Sequence, residues 1–221
     1  MNLKSFGCSF VYGTDLADDD KSQPFPQPSQ LSWPALLAQQ LGCDYQCHAR
    51  GGAGNLHILN QILSHANSST QDLFVICWTF QDRFDFVNRE HFELGPTWET
   101  IRPSLDHTHA DFYFRNLHSE YRDKLTALTY MLTAVDVLQT QHIPFIMTTV
   151  DESPFDTQWF ATPAVSILQQ RVQPHMTWFK NQSFLAWAKT NNFAINQSLH
   201  PLEKAHVRAC ELMLPIAQRL V

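Results

Sequence analysis

Six consecutive apolar residues, Leu73-Phe74-Val75-Ile76-Cys77-Trp78, leave no polar position on either face of the segment they form. A run this short, rich in branched and aromatic residues, reads as a strand rather than a helix. Such a strand belongs in the middle of a parallel sheet, where helices cover both of its faces. Three further segments read as partners for it: Leu3–Phe6, Asp44–Cys47 and Phe145–Thr149.

Helical patterns lie between these strands. Ser32-Trp33-Pro34 opens one helix, with Ser32 as N-cap and Pro34 in the first turn, and Gly42 closes it. A second helix, from Asn55 to about Ser64, places Leu56, Leu59, Ile62 and Leu63 on one face. The strongest helix runs from Glu120 to Gln139, with Leu125, Leu128, Leu132, Val135 and Leu138 at spacings of three and four. Short helices are expected near Val165–Arg171 and Ser183–Lys189, and Phe193–Ile195 reads as a last short strand. From Pro201 a final helix carries Leu202, Ala205, Ala209, Leu212, Ile216 and Leu220 on its inner face. Strands alternating with helices predict an α/β fold, a three-layer α/β/α sandwich with a mostly parallel sheet.

The 221 residues suit one domain, residues 1–221, with an irregular aromatic-rich insertion at about 79–118. Phe80, Phe84, Phe86, Phe92, Trp98, Phe112, Tyr113 and Phe114 fall within it. Most of them read as the insertion's own core. The acidic run Asp18-Asp19-Asp20 reads as a solvated loop tip. Formal net charge is -6 and no basic stripe exists, which argues against a nucleic-acid partner. Five scattered cysteines, Cys8, Cys43, Cys47, Cys77 and Cys210, read as reduced thiols, with Cys43 and Cys47 flanking a buried strand. The first residues lack a basic, apolar and small-residue succession, and no apolar run reaches membrane-spanning length. The expectation is a cytoplasmic chain with no membrane partner.

Three segments carry chemistry when taken together. Gly7-Cys8-Ser9-Phe10 follows the first strand, and Gly51-Gly52-Ala53-Gly54-Asn55 follows the second. Ser198-Leu199-His200-Pro201 precedes the last helix. Turns after successive parallel strands gather at one sheet edge, where such folds place their sites. A serine hydroxyl becomes a nucleophile when an imidazole takes its proton, so the combination points to acyl transfer. The Ser9 amide, the Gly54 amide and the Asn55 side chain are the expected oxyanion donors. Against this stand plainer readings: Ser9 as a turn hydroxyl, His200 as an exposed residue before a helix-starting proline, and Gly54-Asn55 as a turn and an N-cap, the last compatible with an oxyanion role. His206 is a rival base that reads better as a packed or solvent-facing residue, and Cys8 reads as packed.

Their order resembles the SGNH hydrolases, the GDSL-type esterases and lipases, over nearly the whole chain. Phe6-Gly7-Cys8-Ser9-Phe10 is similar to the family's first block, with Cys8 in place of Asp. Gly52-Ala53-Gly54-Asn55 is similar to its glycine block, and His200-Pro201 to its last block. The resemblance implies a flavodoxin-like three-layer fold, a Ser9 nucleophile, a His200 base and no cofactor or metal. It implies a small-molecule or carbohydrate ester as substrate, most plausibly a small acyl or acetyl ester.

Two departures stand out. The family's Gly-x-Asn-Asp block is replaced by Cys77-Trp78-Thr79-Phe80-Gln81-Asp82-Arg83, so Thr79 or Asn55 must supply the missing donor. Gln197 and Ser198 occupy the places where the family carries the acid that orients its histidine. Asp15, Asp82, Asp151 or a backbone carbonyl is left for that task, or the pair works as a dyad. Trp78-Thr79 and Arg83-Phe84-Asp85 resemble a subgroup with the Gly-Cys-Ser-Phe front block, which makes Trp78, Asp82 and Arg83 candidate substrate contacts. Asp82 and Arg83 read equally as a surface ion pair.

Two other readings stay open. One is a weak or inert protein of the same fold that binds a carbohydrate or acyl ligand on the aromatic insertion. The other is a metal-dependent hydrolase using His107 and His109 from the run Asp106-His107-Thr108-His109-Ala110-Asp111, whose histidines would share one face of a strand.

Overall fold

The computed structural model describes residues 1–23, 26–67, 72–88, 97–103, 105 and 107–221. Phe92 and Asp106 lie outside the described residues.

Four parallel strands form the central sheet in the order β2-β1-β3-β6: β1 (Asn2–Phe6), β2 (Asp44–Cys47), β3 (Asp72–Trp78) and β6 (Phe145–Thr149). Every residue of β3 is buried, as its unbroken apolar run requires. Ser5 of β1 pairs with Val75 on one side, and Cys77 pairs with Thr148 on the other. Burying a side chain the size of Phe74 contributes roughly 1.5–3 kcal/mol, so this strand anchors the core. By contrast β2 is an edge strand, alternately exposed and half-buried. Cys43 and Cys47 therefore flank a sheet margin rather than a buried strand, and all five cysteines are free.

The chain crosses one way from β1 to β2 and the other way from β2 to β3 and on to β6. Right-handed crossovers then put α2 (Trp33–Leu41) on one face, and α3 (Asn55–His65) and α5 (Glu120–Thr140) on the other. Consistently, α3 packs on α5, and α2 on α8 (Glu203–Ala217). The reversal falls between β1 and β3, which is where open α/β sheets leave a crevice.

Several faces are rotated from their expected positions. In α3 the inner face is Ile58, Leu59 and Ile62, while Leu63 is 41% exposed. In α8 it is Ala205, His206, Ala209, Cys210, Met213 and Ala217, while Leu220 stands exposed. Small residues let α8 approach α2 closely, a signal that a count of leucines misses. Ser32 occupies the N-cap position of α2, but its hydroxyl donates to the Ser29 carbonyl. The Trp33 amide is taken instead by Nδ1 of the buried His206, at 2.9 Å.

Two expectations are overturned. Residues Phe193–Ile195 add no strand to the sheet; Ile195 makes a single antiparallel bridge to Pro201 and so closes the turn that bears His200. The 79–118 segment is more regular than its composition suggests. It holds an antiparallel pair, β4 (Phe84–Asn88) and β5 (Thr97–Ile101), and the helix α4 (Thr108–Asn116). Ile101, Ala110 and Tyr113, with Phe84, Phe86 and Phe114 against them, make a small core of their own. Phe112 is exposed. Two further helices, α6 (Pro163–Val172) and α7 (Phe184–Thr190), lie between β6 and α8. Among the described residues no helix is long and apolar enough to cross a membrane.

Candidate active site

Ser9 opens α1, a single helical turn of Ser9–Tyr12 that begins directly after β1. Gly7 makes the tight exit possible: a Cβ there would meet Val11 Cγ2 at 2.5 Å and the Cys77 carbonyl at 3.0 Å. Its role is close approach rather than an unusual backbone angle. Gly13 ends the turn at φ 83°, in the left-handed region that glycine adopts without strain. Cys8 is fully buried in the core and is not among the residues that line the cavity at Ser9.

Across 191 residues of sequence, His200 Nε2 lies 2.8 Å from Ser9 Oγ. His200 Nδ1 lies 2.6 Å from Asp15 Oδ2. An ionised carboxylate only accepts, so Nδ1 carries the proton and Nε2 is left to accept from the serine hydroxyl. Of the acids left open by the sequence, Asp15 is the one beside His200. It sits six positions beyond Ser9, in the left-handed conformation at φ 71°.

Several groups hold this arrangement. Asn196 donates from Nδ2 to Asp15 Oδ2 at 2.5 Å and accepts the His200 amide on Oδ1 at 2.9 Å. The Phe10 ring meets the imidazole edge to face, with centroids 5.1 Å apart. Asp19 accepts the Asp15 amide at 2.8 Å, and Asp18 accepts the Gln30 amide at 2.7 Å. The acidic run is thus a loop organiser rather than a free tip. Lys21 Nζ donates to Asp15 Oδ1. That hydrogen bond, helped by those from His200 and Asn196, holds the Asp15 carboxyl well below the usual carboxylate range, against the opposing effect of its burial.

The expected oxyanion donors are mostly engaged elsewhere. The Gly54 amide donates to Asp85 Oδ1 at 2.9 Å. Asn55 Oδ1 accepts the Thr79 amide at 2.9 Å, and Asn55 Nδ2 donates to the Thr79 carbonyl at 3.3 Å. Asn55 and Thr79 therefore lock α3 to the end of β3. The Thr79 hydroxyl is buried and makes no hydrogen bond among the described residues. Of Ser9, Gly54, Asn55 and Thr79, Ser9 alone is among the described residues that line the cavity at His200, together with Gly51 and Gly52.

That cavity is about 820 Å³, and Asp82, Arg83 and Arg102 also line it. Arg83 donates from Nη1 to the Ala53 carbonyl at 2.8 Å and lies over the Phe80 ring at 5.3 Å. It forms no ion pair with Asp82 among the described residues. Burial pushes the Asp82 carboxyl above its ordinary value. Trp78, offered as a substrate contact, is wholly buried in the core instead. His206, the rival base, is packed against α2, and burial holds its imidazole down to about 3.

His107 caps α4 and His109 lies in its first turn, so neither is on a strand. Their rings meet edge to face at 5.0 Å. Among the described residues no three His, Cys, Asp or Glu side chains are grouped to hold a metal ion.

Neither a protein-family model nor a curated protein matches the chain. Solved structures do match over its whole length. A member of the lipolytic protein G-D-S-L family from Veillonella parvula is 12% identical at a TM-score of 0.56, covering 100% of both chains. TesA is 13% identical at 0.57, again covering 100% of both. An acetyl xylan esterase from Butyrivibrio proteoclasticus is 12% identical at 0.53, with 99% of this chain covered and 63% of that one. With β1, β3 and the crevice between them placed as described, the chain has the fold of the SGNH, or G-D-S-L, hydrolases.

Proposed function

We propose that the chain is a serine hydrolase that cleaves a small acyl or acetyl ester. The observation that carries this reading is the unbroken relay from Ser9 Oγ through His200 to Asp15, with contacts of 2.8 and 2.6 Å. In it, Ser9 Oγ attacks the ester carbonyl carbon while His200 Nε2 takes the hydroxyl proton. Asp15 holds the tautomer and offsets the positive charge that forms on the ring. The tetrahedral intermediate then expels the alcohol, which receives the proton from Nε2. Water repeats the sequence on the acyl-serine, releasing the acid and restoring Ser9.

The oxyanion is assigned to the Ser9 amide together with the backbone of Gly51-Gly52, which borders the same cavity. The Gly54 and Thr79 amides are left out because each already has a partner within 2.9 Å. A small acyl group is favoured by the polar character of the lining, which includes Thr14, Gln197 and Ser198. The name of the acetyl xylan esterase with the same fold supports the same direction.

The test is hydrolysis of short p-nitrophenyl esters, with labelling by a fluorophosphonate. Ser9→Ala is expected to abolish both while the protein stays folded. Unchanged hydrolysis in that variant would remove Ser9 from the mechanism.

A further inference from the structure

We propose that the alcohol half of the substrate carries a carboxylate, recognised by Arg83 and Arg102; this rests on the hydrolase reading above. The chain is acidic overall, at net charge -6, yet its catalytic cavity is bordered by three cations, Lys21, Arg83 and Arg102. Among the described residues, two carboxylates, Asp15 and Asp82, border the same cavity.

The three cations differ in what they have left to offer. Lys21 is spent on Asp15. Arg83 is half-buried and fixed, with Nη1 on the Ala53 carbonyl and its plane over Phe80. A guanidinium has five donors, so holding one of them pre-orients the rest. Arg102 follows β5 and is exposed; its carbonyl accepts the Leu105 amide, while its guanidinium has no hydrogen-bond or ion-pair partner among the described residues. One rigid and one unengaged guanidinium bordering the same cavity suit a planar anion, which each can meet with a charge-assisted hydrogen bond.

Asp82, half-buried in the same lining, opposes this, whereas Asp15 is already engaged by Lys21, His200 and Asn196. A neutral ester would leave Arg102 facing water, with no gain from its charge. An ester with a carboxylate on its alcohol side would meet both guanidinium groups while its acyl carbon sits at Ser9.

Binding decides the question without any chemistry. The ligands are 4-hydroxybenzoate and 4-hydroxybenzamide, titrated calorimetrically into the full chain. The benzoate is expected to bind about tenfold more tightly, from hydrogen bonds to a charged group. That advantage should vanish in Arg102→Gln and shrink as ionic strength rises from roughly 0.02 to 0.2 M. Equal binding, or an advantage that survives Arg102→Gln, would overturn the proposal. The two corresponding acetate esters separate this from the hydrolase reading. If neither is cleaved but the benzoate preference holds, the hydrolase reading fails and the anion site stands. If both are cleaved equally and both phenols bind equally, the hydrolase reading stands and the anion site falls.

Discussion

Asp85 reaches from β4 to take the Gly54 amide at 2.9 Å, and its other oxygen takes the His57 amide at the same distance. One buried carboxylate thus caps α3 from across the chain. Thr100 adds a third donor at 2.5 Å and is itself held by Arg50 at 2.7 Å. The β4–β5 pair therefore clasps the glycine turn that borders the cavity at Ser9 and His200.

A side chain at Gly54 collides with that clasp, since a Cβ would come within 2.5 Å of Asp85 Oδ2. Gly54→Ala should cost about 1–3 kcal/mol by overpacking. In a chain of 221 residues that is a fall in Tm of roughly 2–12 °C. In an Asp85→Ser background the same substitution should cost much less, so the two changes should be non-additive in urea unfolding. Additive losses would mean that the two residues do not confront each other.

Replacing Asp15 by Asn keeps the shape of the relay but offers His200 an amide, which can present a donor to Nδ1. The imidazole then adopts the wrong tautomer, and kcat should drop by about four orders of magnitude with little change in KM. Steady-state kinetics on a p-nitrophenyl ester check this. A loss of less than about tenfold would show that another group orients the histidine.

Lys21 places a positive charge against the same carboxylate that must stabilise an imidazolium. Lys21→Met removes a charge that opposes protonation of the ring. The Asp15 carboxyl, which Lys21 does most to hold low, should titrate at higher pH in this variant, as followed by its carboxyl carbon resonance in NMR. A shift to lower pH would contradict this account.

Three imidazoles outside the relay bear on the acid stability. Burial holds His206 down to about 3, and His57 and His48 to about 4, against 6.5 for the ordinary side chain. Below about pH 6.5 the unfolded chain binds protons that the folded chain refuses. Stability should therefore fall as pH drops, by about 1.4 kcal/mol per pH unit for each such histidine, until the folded-state value is reached. Urea unfolding at pH 7 and pH 5 measures the slope. His206→Asn should flatten it, while lowering stability at neutral pH by disturbing the bond to Trp33.

The parallel strands and the long helices were legible because burial on one or both faces writes itself into the spacing of apolar residues. β3 and α5 are the clearest cases. The β4–β5 pair was not, since two five-residue strands rich in Asp, Asn, Thr and Glu leave only a weak alternation. Ser9 and His200 could be picked out from their positions at opposite ends of an α/β pattern. Asp15 could only be named as one acid among three, because a local turn and a distant asparagine place it, and neither leaves a periodic trace. The glycine turn misled in detail. Gly54 looked like an oxyanion donor until the partner of its amide, 31 residues away, was visible.

The mooring of α8 on α2 through His206 and Trp33 has a consequence for how the site comes into being. Ser9 and Asp15 travel together on one short stretch near the front of the chain, so their mutual arrangement needs no long excursion. The imidazole alone arrives from afar, and it arrives only when the last helix berths. Turnover should accordingly switch on late in refolding, in step with that berthing, and loosening the berth should silence the protein well before its sheet comes apart.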